Sequence, residues 1–313
     1  MNRRTNLLFD GRRIARSNKR YVVWFYALNL VLALCGAVAF RSHAHAILDN
    51  SLYADKLLHG FDVAVFVEMV ARPEMGPLNA SVIPAMYFAY AFFLLTLLLL
   101  PGVYAGYASS ARLPRDEFFR VCGRNVWRFI RLFLFFLLVA GPIAGILFGI
   151  KNALVKGADK TSNELLPFYV QLASTIVIFL VLTFLRIWFD LAQADAVIKD
   201  ESRVRRSVGA ARRSLRHNWA RLLGTYVLIT IVAAAVLALG LVIWEALVPA
   251  ADWFAAFLVG QAILLFWLAA RFCQRACAVA FCLESMRQSE ITAVSAAAAS
   301  IDPASTVPRA STI

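Results

Sequence analysis

Charge is scarce in this sequence. Asp, Glu, Lys and Arg make up only 16% of its 313 residues, against about 25% in soluble domains, while 61% are hydrophobic and the mean hydropathy is +0.69. A water-soluble core that rich would leave large apolar patches exposed. A soluble globular protein is therefore excluded, and an integral membrane protein is expected.

Cysteine and histidine are few as well. The five cysteines form no disulfide or zinc spacing. Cys273 and Cys277 share a helical face with Cys282 nearby, which points to packing, and Cys35 is expected in the core of the first apolar helix. His43, His45 and His59 lie near Asp49 and Asp62, yet histidines two apart converge only on extended chain. No metal and no cofactor are expected. Phosphate loop, nucleophile elbow, HExxH and paired carboxylates are all absent, so no enzyme activity is expected, and a lipid-acting membrane enzyme has no residues to name. Asp190 and Asp195 lie near Arg186, where ion pairing suffices.

What the chain does have is six apolar runs, each long enough for a hydrocarbon core of about 30 Å. They fall near Tyr21 to Phe40, Ile83 to Gly106, Phe129 to Ile150, Leu166 to Leu185, Leu222 to Trp244 and Trp253 to Ala270. Arg131 is the only formal charge inside these limits, and no ionisable residue is expected in the bundle interior. Asn29, Gln171, Thr175, Thr183 and Gln261 are the polar groups at depth, suited to interhelical hydrogen bonds. Pro84, Pro101 and Pro142 could kink helices, and GPIAGILFG from Gly141 suits close helix packing.

Sorting the 32 Lys and Arg residues by segment orients the chain. Twenty-six lie in the N-terminal segment, Arg112 to Arg131, Arg186 to Arg221, and from Arg271 onward. The alternate segments hold only Arg41, Lys56, Arg72, Lys151, Lys156 and Lys160. By the positive-inside rule both termini are cytoplasmic. Ala44 to Ala46 imitates a signal-peptide cleavage site, but an apolar run of about 20 residues exceeds the usual ~7 to 15, so a retained anchor is expected. The resulting organisation is a basic segment (1–20), a six-helix transmembrane domain (21–290) and a disordered Ala/Ser/Pro tail (291–313).

The most basic stretch is ESRVRRSVGAARRSLRHNWARL, from Glu201. Val204, Val208, Ala211, Leu215 and Trp219 form an apolar helical stripe, with Arg205, Arg206, Arg212, Arg213 and Arg216 on the other side. An amphipathic helix over 201–219, lying on the membrane with Trp219 at headgroup level, is expected. Nucleic acid is not expected as a partner, because a helix tied to a bilayer within a few residues cannot enter a major groove about 12 Å wide. Anionic lipid headgroups or a membrane-protein partner are the expected ligands of Arg205, Arg206, Arg212, Arg213, Arg216 and Trp219.

The same design recurs. SNKRYVVWFYALNLVLA from Ser17, GRNVWRFIRLFLFFLLVA from Gly123 and RHNWARLLGTYVLITIVA from Arg216 each place an asparagine and a tryptophan ahead of an apolar helix. The asparagines are Asn18, Asn125 and Asn218, and the tryptophans Trp24, Trp127 and Trp219. An all-α bundle of six transmembrane helices in three hairpins, each led by a basic interfacial segment, follows. LRIWFDLAQADAVIKDE from Leu185 and ARFCQRACAVAFCLESM from Ala270 echo each other at helix ends, and the second is expected to continue the last helix.

GAARRSLRHNWARLLGTYVLI, Gly209 to Ile229, resembles the loop between the fourth and fifth helices in a group of uncharacterised bacterial six-helix membrane proteins. That group includes the membrane domain fused to some glycerophosphodiester phosphodiesterases. Arg212, Arg213 and Ser214 match its basic pair and serine, and Trp219, Leu222 and Leu223 match the tryptophan and leucines. Leu215 stands where the group has an aromatic residue, and the gap before Trp219 is shorter. The resemblance implies a membrane domain of unassigned activity in a bacterial inner (plasma) membrane, and the phosphodiesterase catalytic domain has no counterpart here.

The outer segment, 41–82, places Leu57, Leu58, Phe61, Val65, Met69 and Val70 on one face, as a space-filling interfacial helix or a lid would. Two functions are therefore expected from sequence. The first is a non-enzymatic membrane protein serving membrane organisation or acting as a subunit. The alternative is a transporter or permease subunit for a neutral or amphiphilic solute.

Overall fold

The computed structural model describes residues 6–48, 64, 67–68, 71, 78–109, 112–161, 165–200, 204–248 and 252–300. Seven helices are delimited among the described residues, without strands: α1 (Leu7–Ser17), α2 (Arg20–Leu48), α3 (Leu78–Ala108), α4 (Arg115–Ala158), α5 (Leu166–Ile198), α6 (Val204–Leu247) and α7 (Trp253–Ser300). The six from α2 to α7 are each long and apolar enough to cross a membrane. The protein is an all-α, polytopic membrane helix bundle.

Local chemistry sets where these helices begin. Pro114 precedes α4, whose first turn carries Asp116 and Glu117 against the positive end of the helix dipole. Pro167 sits in the first turn of α5, where its missing N–H costs nothing. Asp252 Oδ1 accepts from the Ala255 backbone N–H at 3.0 Å and caps α7.

The repeated asparagines mark breaks. Asn18 separates α1 from α2 with φ −113° and ψ 31°. Asn218 interrupts α6 with φ −126° and ψ 25°, nearly the same conformation. The middle copy, Asn125, stays inside the continuous α4. Asn18 and Asn125 donate in the same way, each through Nδ2 to the carbonyl four residues earlier, Ile14 and Val121. The carbonyls so engaged lie at the last turn of α1 and mid-helix in α4.

Packing divides the helices into two sets. The returning helices α3, α5 and α7 meet one another in the centre. Each outer helix bridges two of them: α2 packs on α3 and α7, α4 on α3 and α5, and α6 on α5 and α7. The expected hairpins are joined by comparably close packing of α3 on α4 and of α5 on α6, whereas α2 meets α7 more sparsely and α1 lies along α7.

Helix length explains where the core sits. At 1.5 Å per residue the 48-residue α7 is about 72 Å long, over twice the hydrocarbon thickness, and the 44-residue α4 and α6 also overrun it. The overrunning ends gather at the basic end. Buried aromatics fill that end, including Tyr21 stacked on Phe118 with centroids 5.6 Å apart and Phe25 against Phe272 at 5.0 Å. Towards the opposite end Leu138, Ile146, Phe168 and Val242 are exposed, as lipid-facing residues are.

Several sequence expectations are corrected here. Helix α7 runs to Ser300, so residues 291–300 are helical and not tail; the alanines there carry the highest helix propensity. Cys35 is exposed on α2, and it is the neighbouring Gly36 that faces α3, where an added Cβ would lie 3.4 Å from Ala85 Cα. Gly141, Gly145 and Gly149 have nothing within 4 Å of an added Cβ, so their run is not a packing seam. Close approach occurs instead at Gly11, where an added Cβ would meet the Cys277 backbone at 3.0 Å. The backbone at His43 and His45 is helical, not the extended chain on which histidines two apart would converge. Asp49, His59 and Asp62, with the expected face of the outer segment, lie outside the described residues. Of that segment Ala64, Val67, Glu68 and Ala71 are helical and exposed.

Gly11→Val should lift α1 from α7 at a cost of about 1–3 kcal/mol. The checks are a lower melting temperature in detergent and maleimide labelling of Cys277, which is buried in the native protein. Unchanged labelling would mean that α1 does not depend on this contact.

Candidate functional site

The arginines singled out by sequence occupy the first leg of α6, before the break at Asn218. Arg205, Arg206, Arg212, Arg213 and Arg216 are exposed, and Trp219 just beyond the break is 53% exposed. The middle of the apolar stripe beside them packs on protein. Ala211 and Leu215 are buried in the core, and the Val208 carbonyl accepts from Trp188 Nε1 of α5 at 3.2 Å. Long helices overrunning the membrane supply a protein surface for the stripe, which is why lipid is not needed to cover it. Arg205, Arg206 and Arg213 come together with Asp195 and Lys199 around a surface hollow of about 440 Å³, whereas Arg212 and Arg216 are not part of its lining.

Beneath this surface the structure assembles a polar centre. Asp190 is 4% exposed and accepts from Tyr226 Oη at 3.0 Å and Tyr104 Oη at 3.5 Å, with Arg186 Nε at 3.8 Å. Tyr104 Oη lies 3.0 Å from Gln193 Oε1. Gln274 Nε2 donates to the Tyr226 carbonyl at 3.1 Å and to Thr230 Oγ1 at 2.9 Å. Four helices, α3, α5, α6 and α7, are tied through this group.

Two cavities flank Arg186. The larger, about 570 Å³, has Arg186, Asp190, Arg271 and Arg275 near the basic end, and Phe92 and Ala144 farther along α3 and α4. The smaller, about 310 Å³, has Arg186, Arg271 and Gln274 with Phe179, Ala233 and Trp267. Leu182, Arg186 and Arg271 line both. Charged residues therefore do face the bundle interior, contrary to the expectation from sequence. The apolar runs end at Leu185 and Ala270, one residue short of Arg186 and Arg271. The signal was present in the echoing runs from Leu185 and Ala270, where Arg186 and Asp190, and Arg271 and Arg275, stand four apart on one helical face.

A third hollow, about 890 Å³, lies between α1, α2, α6 and α7. Arg12, Arg16 and Lys19 stand at its basic end, and Val22, Val232, Leu265 and Phe266 line its apolar part.

Elsewhere two of the polar groups expected at depth, Gln261 and Thr175, link helices by hydrogen bonds. Tyr26 Oη donates to Gln261 Oε1 at 2.9 Å, joining α2 to α7. Lys151 Nζ donates to Thr175 Oγ1 at 3.1 Å, joining α4 to α5.

At the turn between α5 and α6, Asp200 takes a φ of 49°, the left-handed region that a non-glycine residue rarely adopts. Its carboxylate accepts from Arg128 Nη1 at 2.6 Å, and Arg124 lies at 3.5 Å, so the turn is clamped to α4. The hydrogen bond from Arg128, followed by the charges of Arg124 and Arg128, holds the Asp200 carboxyl below its ordinary value of 3.8.

Asp190→Ala should cost about 3 kcal/mol or more, since it leaves the Arg186 cation and the Tyr226 hydroxyl without their acceptor, while Asp190→Asn should cost less. Thermal unfolding in detergent reads both. For Asp200 the folded carboxyl titrates lower than the unfolded one, so its contribution is present above pH 3.8 and is lost as pH falls through the lower folded value. Asp200→Asn should therefore flatten the decline of melting temperature below pH 3.8, and an unaltered acid limb would remove the clamp.

No protein-family model, curated protein or solved structure matches this chain, so the site is interpreted through its own residues.

Proposed function

We propose that this multi-pass membrane protein is a non-enzymatic component of the bacterial inner (plasma) membrane, with both termini cytoplasmic, that holds anionic phospholipid at its basic end. Membrane organisation, or service as the membrane subunit of a larger assembly, is the role this suits. The charge distribution supports the orientation, since the basic segments that alternate with sparsely charged ones gather at one end of the bundle.

The hollow between α1, α2, α6 and α7 carries the reading. Arg12, Arg16 and Lys19 are exposed at one end of a lining whose other end is aliphatic and aromatic. That is the polarity of a phospholipid: a phosphate meets the three cations while an acyl chain lies along Val232, Leu265 and Phe266. Arg205, Arg206, Arg212, Arg213 and Arg216, exposed on the same end, add a diffuse positive field that draws anionic lipid to the surface.

Phosphatidylglycerol should stay bound to the wild-type protein through native mass spectrometry in neutral detergent, and phosphatidylcholine should not. At about 1 kcal/mol per basic residue, changing Arg12, Arg16 and Lys19 together to Gln should weaken retention about a hundredfold at low salt. The Arg205, Arg206, Arg212 and Arg213 to Gln variant should lose the weaker, salt-sensitive copies. Equal retention by wild type and both variants would end the proposal.

A further inference from the structure

The two cavities flanking Arg186 are distinct from the surface hollow, with which only the smaller shares a lining residue, Ala270. We infer that they form a binding site between the helices for an acyl-chain amphiphile bearing one anionic headgroup, a carboxylate or a phosphate.

Charge is the first argument. Three guanidinium groups, Arg186, Arg271 and Arg275, face the larger cavity, and the only carboxylate lining it is Asp190. Asp190 is already engaged by Arg186 and two tyrosine hydroxyls. Among the described residues Arg271 and Arg275 pair with no carboxylate; they rest on the faces of Trp267 at 5.5 Å and Phe272 at 5.2 Å. A partly buried cation without a counter-ion is expensive, and an incoming anion removes that cost. A neutral solute would not.

Unmet hydrogen bonds are the second. Arg275 Nε and Thr96 Oγ1, on residues lining the larger cavity, are buried without a hydrogen-bond partner. Gln274, 2% exposed, lines the smaller cavity and has no partner for Oε1. The first two are donors and the third an acceptor that no protein atom satisfies, and a headgroup reaches them by displacing the side chains that cover them.

Depth is the third. Arg186 lies about 30 Å along α5 from Leu166, and Arg271 about 27 Å along α7 from Trp253, at 1.5 Å per residue. Both therefore sit about one hydrocarbon thickness from the opposite ends of their helices, at the level of the bilayer's own phosphates. Phe92 and Ala144, farther from the basic end, line the part an acyl chain would occupy. Both volumes, about 570 and 310 Å³, fall in the range of small-molecule sites.

The full-length protein in neutral detergent, already carrying the Arg12, Arg16 and Lys19 to Gln changes so that the surface hollow is weakened, is the test material. Oleate, dioleoylphosphatidylglycerol and dioleoylphosphatidylcholine are titrated separately, with binding read by native mass spectrometry and by the rise in melting temperature. One copy of oleate or of dioleoylphosphatidylglycerol should bind and raise the melting temperature, and which of the two binds decides between carboxylate and phosphate. Arg271→Gln should weaken that binding about ten- to a hundredfold, the loss of one charge-assisted contact, without lowering the melting temperature of the unliganded protein. Ala144→Phe, which fills the larger cavity and leaves every charge in place, should weaken it too. Equal binding of dioleoylphosphatidylcholine, or binding undiminished in both variants, would overturn the inference. Loss of all anion binding on the surface changes alone would place every lipid in the surface hollow and would overturn it as well.

Discussion

Asp190 constrains this bundle more than any other residue. Apolar helices in lipid gain nothing from the hydrophobic effect by meeting each other, so their rotations are chosen by packing and by polar groups that must find partners. The partners of Asp190 come from different helices: Tyr104 from α3, Tyr226 from α6 and Arg186 from α5 itself. Satisfying one carboxylate thus fixes the facing of three helices at once, and Gln274 extends the tie to α7 through the Tyr226 carbonyl. The bonds are individually modest. Their value lies in the cost of leaving any of them unmade.

Around that centre the chain uses one plan three times. A leading helix on the outside, α2, α4 or α6, is followed by a returning helix on the inside, α3, α5 or α7. Because the returning helices alone meet in the centre, the polar residues that matter sit on them or on the leading helix beside them. Breaks at Asn18 and Asn218 let the basic legs turn relative to the spans they precede, while the unbroken α4 reaches the α5–α6 turn through Arg128 and Asp200. Ion pairing of Arg221 with Glu284 at 3.1 Å closes α6 against α7 at the same end. The basic end is consequently a packed protein core, and the opposite ends of the helices are left to lipid.

This division has a consequence for ligands. Helices held tightly at one end and exposed at the other enclose spaces whose floors are charged and whose walls are apolar. Both the hollow at Arg12, Arg16 and Lys19 and the cavities at Arg186 and Arg271 have that polarity. The same polarity describes an anionic amphiphile, the occupant proposed for both.

Composition and segment length by themselves determined that the chain is a helical membrane protein with six spans, because a run of about 20 apolar residues answers to bilayer thickness whatever it packs against. The asparagine–tryptophan repeat was equally readable, since it needs only local order in the sequence. What covers the stripe of Val208, Ala211 and Leu215 was not: an apolar face is satisfied by lipid or by protein, and only the overrun of α4, α5 and α7 beyond the membrane decided for protein. The echoing runs put Arg186 and Arg271 at matching places just past the ends of their apolar runs, but 85 residues apart, where nothing local says that they meet. Only the meeting of α5 and α7 in the centre of the bundle puts them on one cavity, for convergence of side chains from distant segments is a property of packing and not of any window of sequence.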